Sequence, residues 1–349
     1  MNGAPHTIAI GVCTYNRGAR ITGTLDSLAR QKNTTGRFTR VIIVNNNSSD
    51  DTAAVVERFI AARTPGALPV FVLLHEPRAG KTNAMRTLFT HSRDPAHAPG
   101  GTPEGFVCIV DDDILLDDDW TDSVLGLIDA HPDAGAVGGP IANVWERDAG
   151  TPIPEPLGPA RVYRKSLGDQ DLGPSRLRID EPHRFLMGAA VAYGTEAVRA
   201  CRWVESPILD TRRGKEMATG EDAELVIRVR QAGFGVYYEP LARARHLIPQ
   251  YRQEGDYLSR LRECICRSEP WLDIIARYSP WPDSDTDRAA ALEHAQSRLR
   301  EARGQYYKTL FTNLRPTRRR FRLAERLGTL RGWEQVCSEL SPRRDARAR

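Results

Sequence analysis

Residues 106–120 read FVCIVDDDILLDDDW. Five consecutive apolar residues end abruptly in three carboxylates, Asp111, Asp112 and Asp113. A short apolar run bounded this sharply is read as a buried strand, with the acids at its carboxyl end. In open α/β sheets that edge is where ligands gather. Adjacent carboxylates repel one another unless water or a cation neutralises them. Oxygen ligands of this kind suit a hard divalent ion, Mg²⁺ or Mn²⁺, that also holds a substrate phosphate. The second acidic run, Asp117, Asp118 and Asp119, fits the start of a helix, where carboxylates favour the helix dipole. That explanation suits the first run less well, because it comes straight off the strand.

Working outward, the first half of the chain alternates strand and helix signals. Apolar, β-branched runs predict strands over 7–14, 40–44, 70–74 and 106–110. Periodic apolar stripes predict helices over 19–31, 52–62, 81–91 and 120–130. Repeated βαβ spacing implies a mostly parallel central sheet with helices on both faces. After residue 135 a strand is expected over 136–141. A Pro- and Gly-rich loop follows over 147–182, of a length that usually carries function or is disordered. A small-residue apolar segment (184–193), a short helix (195–200), a helix (221–232) and a last strand (234–238) come next. Beyond about residue 250 the pattern is helical and basic. The expected organisation is a catalytic α/β domain over 1–250 and a basic helical C-terminal extension over 251–349.

The bulk numbers exclude several classes. With 349 residues, 27% charged and 40% hydrophobic, the chain is globular rather than disordered. No apolar stretch approaches a membrane span, and residues 1–6 lack a basic-then-apolar signal, so the expected location is the cytoplasm. The six cysteines (Cys13, Cys108, Cys201, Cys264, Cys266, Cys337) form no zinc spacing and are read as reduced. The net charge of +4 says little, but its distribution says more. Arg315, Arg318, Arg319, Arg320, Arg322 and Arg326, then Arg343, Arg344, Arg347 and Arg349, make a basic end. With Phe311, Leu314, Phe321 and Leu323 among them, these helices fit a peripheral contact with an anionic membrane, on its inner face. An ordinary solvated helix packed on the catalytic domain is the preferred reading of the two.

Each early strand delivers polar groups at its carboxyl end. After the first come Thr14, Tyr15, Asn16 and Arg17, where an aromatic can stack on a base and polar groups fix its edge. After the second come Asn45, Asn46 and Asn47 in an Asx-rich turn, with Ser49 or Asp50 placed to cap the next helix. Capping does not account for three asparagines. After the third, Arg78 and Lys81 flank a helix start that fits either a diphosphate site or a plain basic first turn. Gly80-Lys81-Thr82 is no P-loop, since His75 stands where that motif needs Gly. The fourth strand ends in the acidic triad. This convergence outweighs any single motif. Downstream, Glu221 and Asp222 open a helix after Gly220, as dipole-stabilising acids or a catalytic base. His246 follows the last strand, either structural or a ligand.

Taken in order over residues 7–248, these pieces resemble family 2 glycosyltransferases of the GT-A fold. The resemblance implies transfer of a sugar from a nucleotide donor with inversion at the anomeric carbon. By resemblance, Tyr15 stacks on the base, and Asn45 or Asn46 reads its edge. Arg78 and Lys81 lie near the base or phosphates, and Asp111 and Asp112 contact ribose and sugar. Asp113 binds Mg²⁺ or Mn²⁺, and His246 is either a second ligand of that ion or a phosphate contact. Met187, Gly188 and Ala189 fall on the acceptor side, Asp222 is the base and Glu221 orients the acceptor. The family usually has Asp at position 45 or 46; Asn both accepts and donates, which leaves the base open, with UDP or dTDP the default nucleotide and GDP the alternative. The expected acceptor is a carbohydrate, glycolipid or small natural product. Two readings compete: a metal-dependent nucleotidyltransferase or phosphohydrolase, and a basic nucleic-acid-binding protein suggested by the arginine-rich end. No specific nucleic acid is expected on the leading reading.

Overall fold

A computed structural model describes residues 5–98, 101–147, 150–182, 184–209, 219–278, 280–312 and 314–341. Arg343, Arg344, Arg347 and Arg349 of the basic end lie outside the described residues. Strands β1 (Ile8–Thr14), β2 (Phe38–Asn45), β3 (Val70–His75) and β4 (Phe106–Asp111) alternate with helices α1 (Ile21–Ala29), α2 (Thr52–Ala61) and α3 (Lys81–Arg93). They run parallel in the order β3-β2-β1-β4. All eight residues of β2 are buried, as expected of a strand covered on both faces. Alternate residues feed the two faces: Ile8, Ile10 and Val12 pack with α1 and α4 (Trp120–Ala130), whereas Ala9, Ile42 and Val44 pack with α3.

The fourth strand is followed by a three-residue strand, β5 (Ile114–Leu116), before α4. The single strand expected over 136–141 is two, β6 (Ala134–Gly138) and β7 (Ile141–Glu146), in different sheets. Gly139 and Pro140 break the apolar run between them. The 147–182 stretch holds two-residue strands β8 (Pro152–Ile153) and β9 (Leu177–Arg178) and two short 3-10 turns. Strand β10 (Ala190–Gly194) runs antiparallel to β4 and β6, α5 (Thr195–Ala200) and α6 (Glu221–Gln231) follow, and β11 (Gly235–Tyr238) completes the core of an eight-stranded mixed sheet.

Besides β5, β8 and β9, a further strand that the sequence does not predict is β12 (Ala244–Ile248). Its alternation of polar and apolar residues is only five residues long and carries Arg245 and His246 within it. It joins β5, β7 and β8 in a second, four-stranded sheet. His246 therefore lies within a strand rather than after the last one, and its register partner Ile114 directly follows Asp113.

Helices α7 (Gly255–Arg277), α8 (Asp285–Phe311) and α9 (Pro316–Leu340) make up the C-terminal region. Leu258, Leu261 and Phe321 join Trp145 and Ile248 in one apolar cluster, so this region packs directly on the second sheet. Helix α9 approaches α7 closely at Gly328, where a Cβ would stand 2.2 Å from the Glu263 carbonyl oxygen. Among the described residues no helix is long and apolar enough to cross a membrane.

At the amino edge of the main sheet, Arg40 of β2 is 2% exposed and holds Glu104 through bonds of 2.6 and 2.5 Å. Glu104 leads into β4, so the pair bridges across the start of β1. A buried ion pair is costly to break on one side only, since the remaining charge is left unpaired. Arg40→Met is expected to lower stability by about 3–5 kcal/mol in urea unfolding, and adding Glu104→Leu should restore most of it. Equal losses in the single and double variants would contradict this account.

Candidate active site

The parallel strands β1, β2 and β4 end at one edge, above a cleft of about 980 Å³. Along its rim the acidic triad is held by cations from three separate elements. Arg17, just past β1, donates from Nε to Asp112 at 3.0 Å and from Nη2 to Asp113 at 3.1 Å. Lys81, the first residue of α3, lies 2.7 Å from Asp111 and 3.4 Å from Glu221. Arg252, just past β12, lies 2.9 Å from Asp113 Oδ2. His246 Nε2 stands 3.3 Å from Asp113 Oδ1, while its Nδ1 is 2.8 Å from the Leu167 carbonyl oxygen.

These contacts set the charge states. Burial works against ionisation of Asp113, but Arg252, His246 and Arg17 together hold it well below the usual carboxylate range. For Asp112 burial prevails over the pull of Arg17, and its carboxyl is raised. Burial likewise draws Lys81 down, yet Asp111 and Glu221 keep its ammonium charged far above neutrality. Glu221, 5% exposed, is pushed by burial to about 7 against the pull of Lys81.

Glu221 and Asp222 open α6 after Gly220, whose φ is 113°. The Gly188 N–H donates to Asp222 Oδ2 at 3.0 Å. A Cβ on Gly188 would stand 2.2 Å from the Asp222 Cβ, so only glycine permits this approach. Met187 donates its N–H to Gln170 at 3.0 Å, and Met187, Gly188 and Ala189 all line the cleft.

Several expected donor-side residues are arranged differently. Tyr15 lines the cleft and is 43% exposed, with Thr14 beside it. The Asn16 side chain braces the turn after β2, accepting from Ser49 N–H at 2.8 Å. Asn46 also lines the cleft, but its amide is taken up by backbone: it donates to the Glu76 and Arg78 carbonyls and accepts from Gly80 N–H at 2.8 Å. Asn45 accepts from Ser48 N–H and does not line the cleft, whereas Asn47 does. Arg78 points to Glu76 instead of the cleft. Nor is Ser49 or Asp50 the cap of α2; Asp51 holds that position, and Asp50 accepts from Gly18 and Thr52. Arg252 and Lys165 were not expected here. Arg252 lay just beyond the boundary drawn at residue 250, in a stretch read only as basic.

Asp113 and His246 can serve as two ligands of a divalent cation, with the Arg252 guanidinium standing beside them, 3.3 Å from His246 Nε2. Asp113 Oδ1 and His246 Nε2 have the separation of neighbouring ligands around an ion with bonds of about 2.0–2.3 Å. Among the described residues no group of three or more His, Cys, Asp or Glu is arranged to hold a metal alone, so further ligands would have to come from a bound anion or water.

A family description, glycosyl transferase family 2, matches residues 9–190, just over half of the chain. This chain belongs to glycosyltransferase family 2. Its match to the glucosyl-dolichyl phosphate glucuronosyltransferase of Haloferax volcanii is 26% identical over 191 residues, covering 54% of this chain and 55% of that protein. The chain thus spans about half the length of that curated relative. Among solved structures, GalNAc-T7 with UDP, GalNAc and Mn²⁺ has a TM-score of 0.51 at 13% identity, covering 77% of this chain and 49% of the other. The mannosyltransferase PcManGT of Pyrobaculum calidifontis, with GDP-Man and Mn²⁺, has a TM-score of 0.49 at 18% identity, covering 94% and 88%. The fold of this family 2 chain is the GT-A type, a mixed α/β sheet with a helical C-terminal region.

The Glu221 environment has a measurable consequence. Between pH 4.5 and about 7 the folded chain keeps a proton that an unfolded glutamate has lost. Stability contributed by that proton is present below the lower value and falls by about 3 kcal/mol as pH rises across the window. Urea unfolding at pH 5 and pH 8 should show this extra loss in wild type and not in Glu221→Gln. Identical pH slopes in the two proteins would mean that Glu221 ionises normally.

Proposed function

We propose that this chain is an inverting glycosyltransferase that moves a sugar from a nucleoside-diphosphate donor to an acceptor hydroxyl. The observation that carries this reading is the pairing, in one cleft, of the Asp111–Asp113 edge with the Asp222 carboxylate across Gly188. Tyr15 stacks on the nucleotide base, and Asn47 reads its edge in place of Asn45 or Asn46, whose amides are engaged within the protein. UDP or dTDP remains the default donor nucleotide. Asp111 and Asp112 meet ribose and sugar, and Lys81, Arg17 and Arg252 supply positive charge to an anionic donor.

Asp113 and His246 would hold Mg²⁺ or Mn²⁺, which when bound neutralises charge on the departing diphosphate. The protein's own part is positioning and proton transfer. Asp222 removes the proton from the attacking hydroxyl as the new glycosidic bond forms and the bond to the diphosphate breaks. Asp222 suits this role better than Glu221, which Lys81 already engages and burial keeps part-protonated near neutrality. Glu221 orients the acceptor. A single displacement through an oxocarbenium-like transition state inverts the anomeric centre. The acceptor, a carbohydrate, glycolipid or small molecule, enters past Met187, Gly188 and Ala189 and the 165–168 turn, which line the other side of the cleft.

Asp222→Asn is expected to lower kcat by at least about 100-fold while leaving nucleotide affinity within about twofold. Proton NMR of the first-formed product should show the anomer opposite to that of the donor. Retention of configuration, or near-normal turnover in Asp222→Asn, would remove Asp222 from the role of base.

A further inference from the structure

Phe311, at the end of α8, is 88% exposed, the highest value of any large apolar side chain among the described residues. Tyr307, one turn earlier, is 58% exposed. No acid occurs over residues 304–324, whereas Lys308, Arg315, Arg318, Arg319, Arg320 and Arg322 all do and are exposed. Arg320 pairs with Asp256, and Arg322 stands 3.9 Å from Glu325. The other four make no ion pair among the described residues. Arg319 donates to the Leu310 carbonyl at 2.7 Å, which fixes the turn between α8 and α9.

A second feature adjoins this tip. Tyr163 stacks on Phe321 of α9 with ring centroids 4.3 Å apart. Beside Tyr163, Val162 is 78% exposed, and Arg161 and Lys165 are exposed around it. Phe321 itself is 1% exposed, so the inner face of α9 is spent on the core and is not the face offered outward. What α8, α9 and the 161–165 turn present is a set of bare apolar side chains ringed by unneutralised cations.

We propose that the α8–α9 tip and the adjoining 161–165 turn dock peripherally on an anionic lipid bilayer. The arginines and lysines meet lipid phosphates, and Phe311, Tyr307 and Val162 enter the headgroup–acyl boundary. A polyanion such as nucleic acid would satisfy the charges and could stack on Tyr307 and Phe311, but it would leave the aliphatic Val162 bare in water. Docking has a consequence for the cleft. Lys165 belongs both to this surface and to the cleft lining, so the acceptor side opens next to the membrane. That consequence rests on the transferase reading; the docking itself does not.

The test uses the full chain and needs neither donor nor acceptor. Wild type should co-sediment with phosphatidylcholine vesicles containing about 30% phosphatidylglycerol, and not with pure phosphatidylcholine. Tyr307→Ser/Phe311→Ser and, separately, Arg315→Gln/Arg318→Gln should each weaken this about tenfold or more, with melting temperatures unchanged because every altered residue is exposed. Raising the salt to about 0.5 M should release the wild type. Three results would overturn the proposal: no binding to anionic vesicles, full binding by both variants, or loss of vesicle binding on adding an oligonucleotide that Tyr307→Ser/Phe311→Ser still holds as tightly as wild type.

Discussion

Three carboxylates stand side by side at the end of β4, two of them nearly buried, and the cations that tolerate them come from distant parts of the chain. Asp112 and Asp113 are 8% and 4% exposed. Carboxylates so placed cannot all stay ionised unless paired. Arg17 comes from the first crossover, Lys81 from the third helix, and Arg252 from beyond the second sheet. Each is delivered by a different connection, so the ion pairs also tie those connections together. The register of β12 against β5 then sets His246 beside Asp113.

The same arrangement gives the cleft both signs of charge within a few ångströms. A site of one sign attracts only its opposite. Here the acids suit a divalent cation and the guanidinium and ammonium groups suit a diphosphate, the two halves of a metal-bound nucleotide. Across the cleft, Asp222 is held by the Gly188 N–H rather than by a cation, which leaves its carboxylate available for a proton. Functional separation between neighbouring acids thus follows from their partners: Glu221 meets Lys81, Asp222 meets backbone.

Much of this was legible in the chain. The four parallel strands have apolar runs long enough to stand out, and their polar ends aligned because parallel strands in βαβ units share an edge. Helices α4 and α5 fall at their expected bounds, α4 because its apolar stripe is clean. The second sheet was not legible: β5 is three residues long, β12 is five residues long with Arg245 and His246 within it, and β7 runs on from β6 in the sequence. Roles that depend on side-chain direction were also hidden. Nothing in the spacing says that Asn46 would turn to backbone, that Arg78 would face Glu76, or that Arg252 would reach back to Asp113. Those outcomes depend on where loops cross, which local sequence does not encode.

The central claim is that the acidic edge of β4 is one half of a metal-assisted nucleotide site. Its most direct test is calorimetric titration of UDP, dTDP and GDP, with Mn²⁺ and with EDTA, into wild type and Asp113→Ala. The account predicts binding of one nucleotide that requires the metal and disappears in Asp113→Ala. Failure of all three nucleotides to bind with metal present, or binding that neither EDTA nor Asp113→Ala affects, would contradict it.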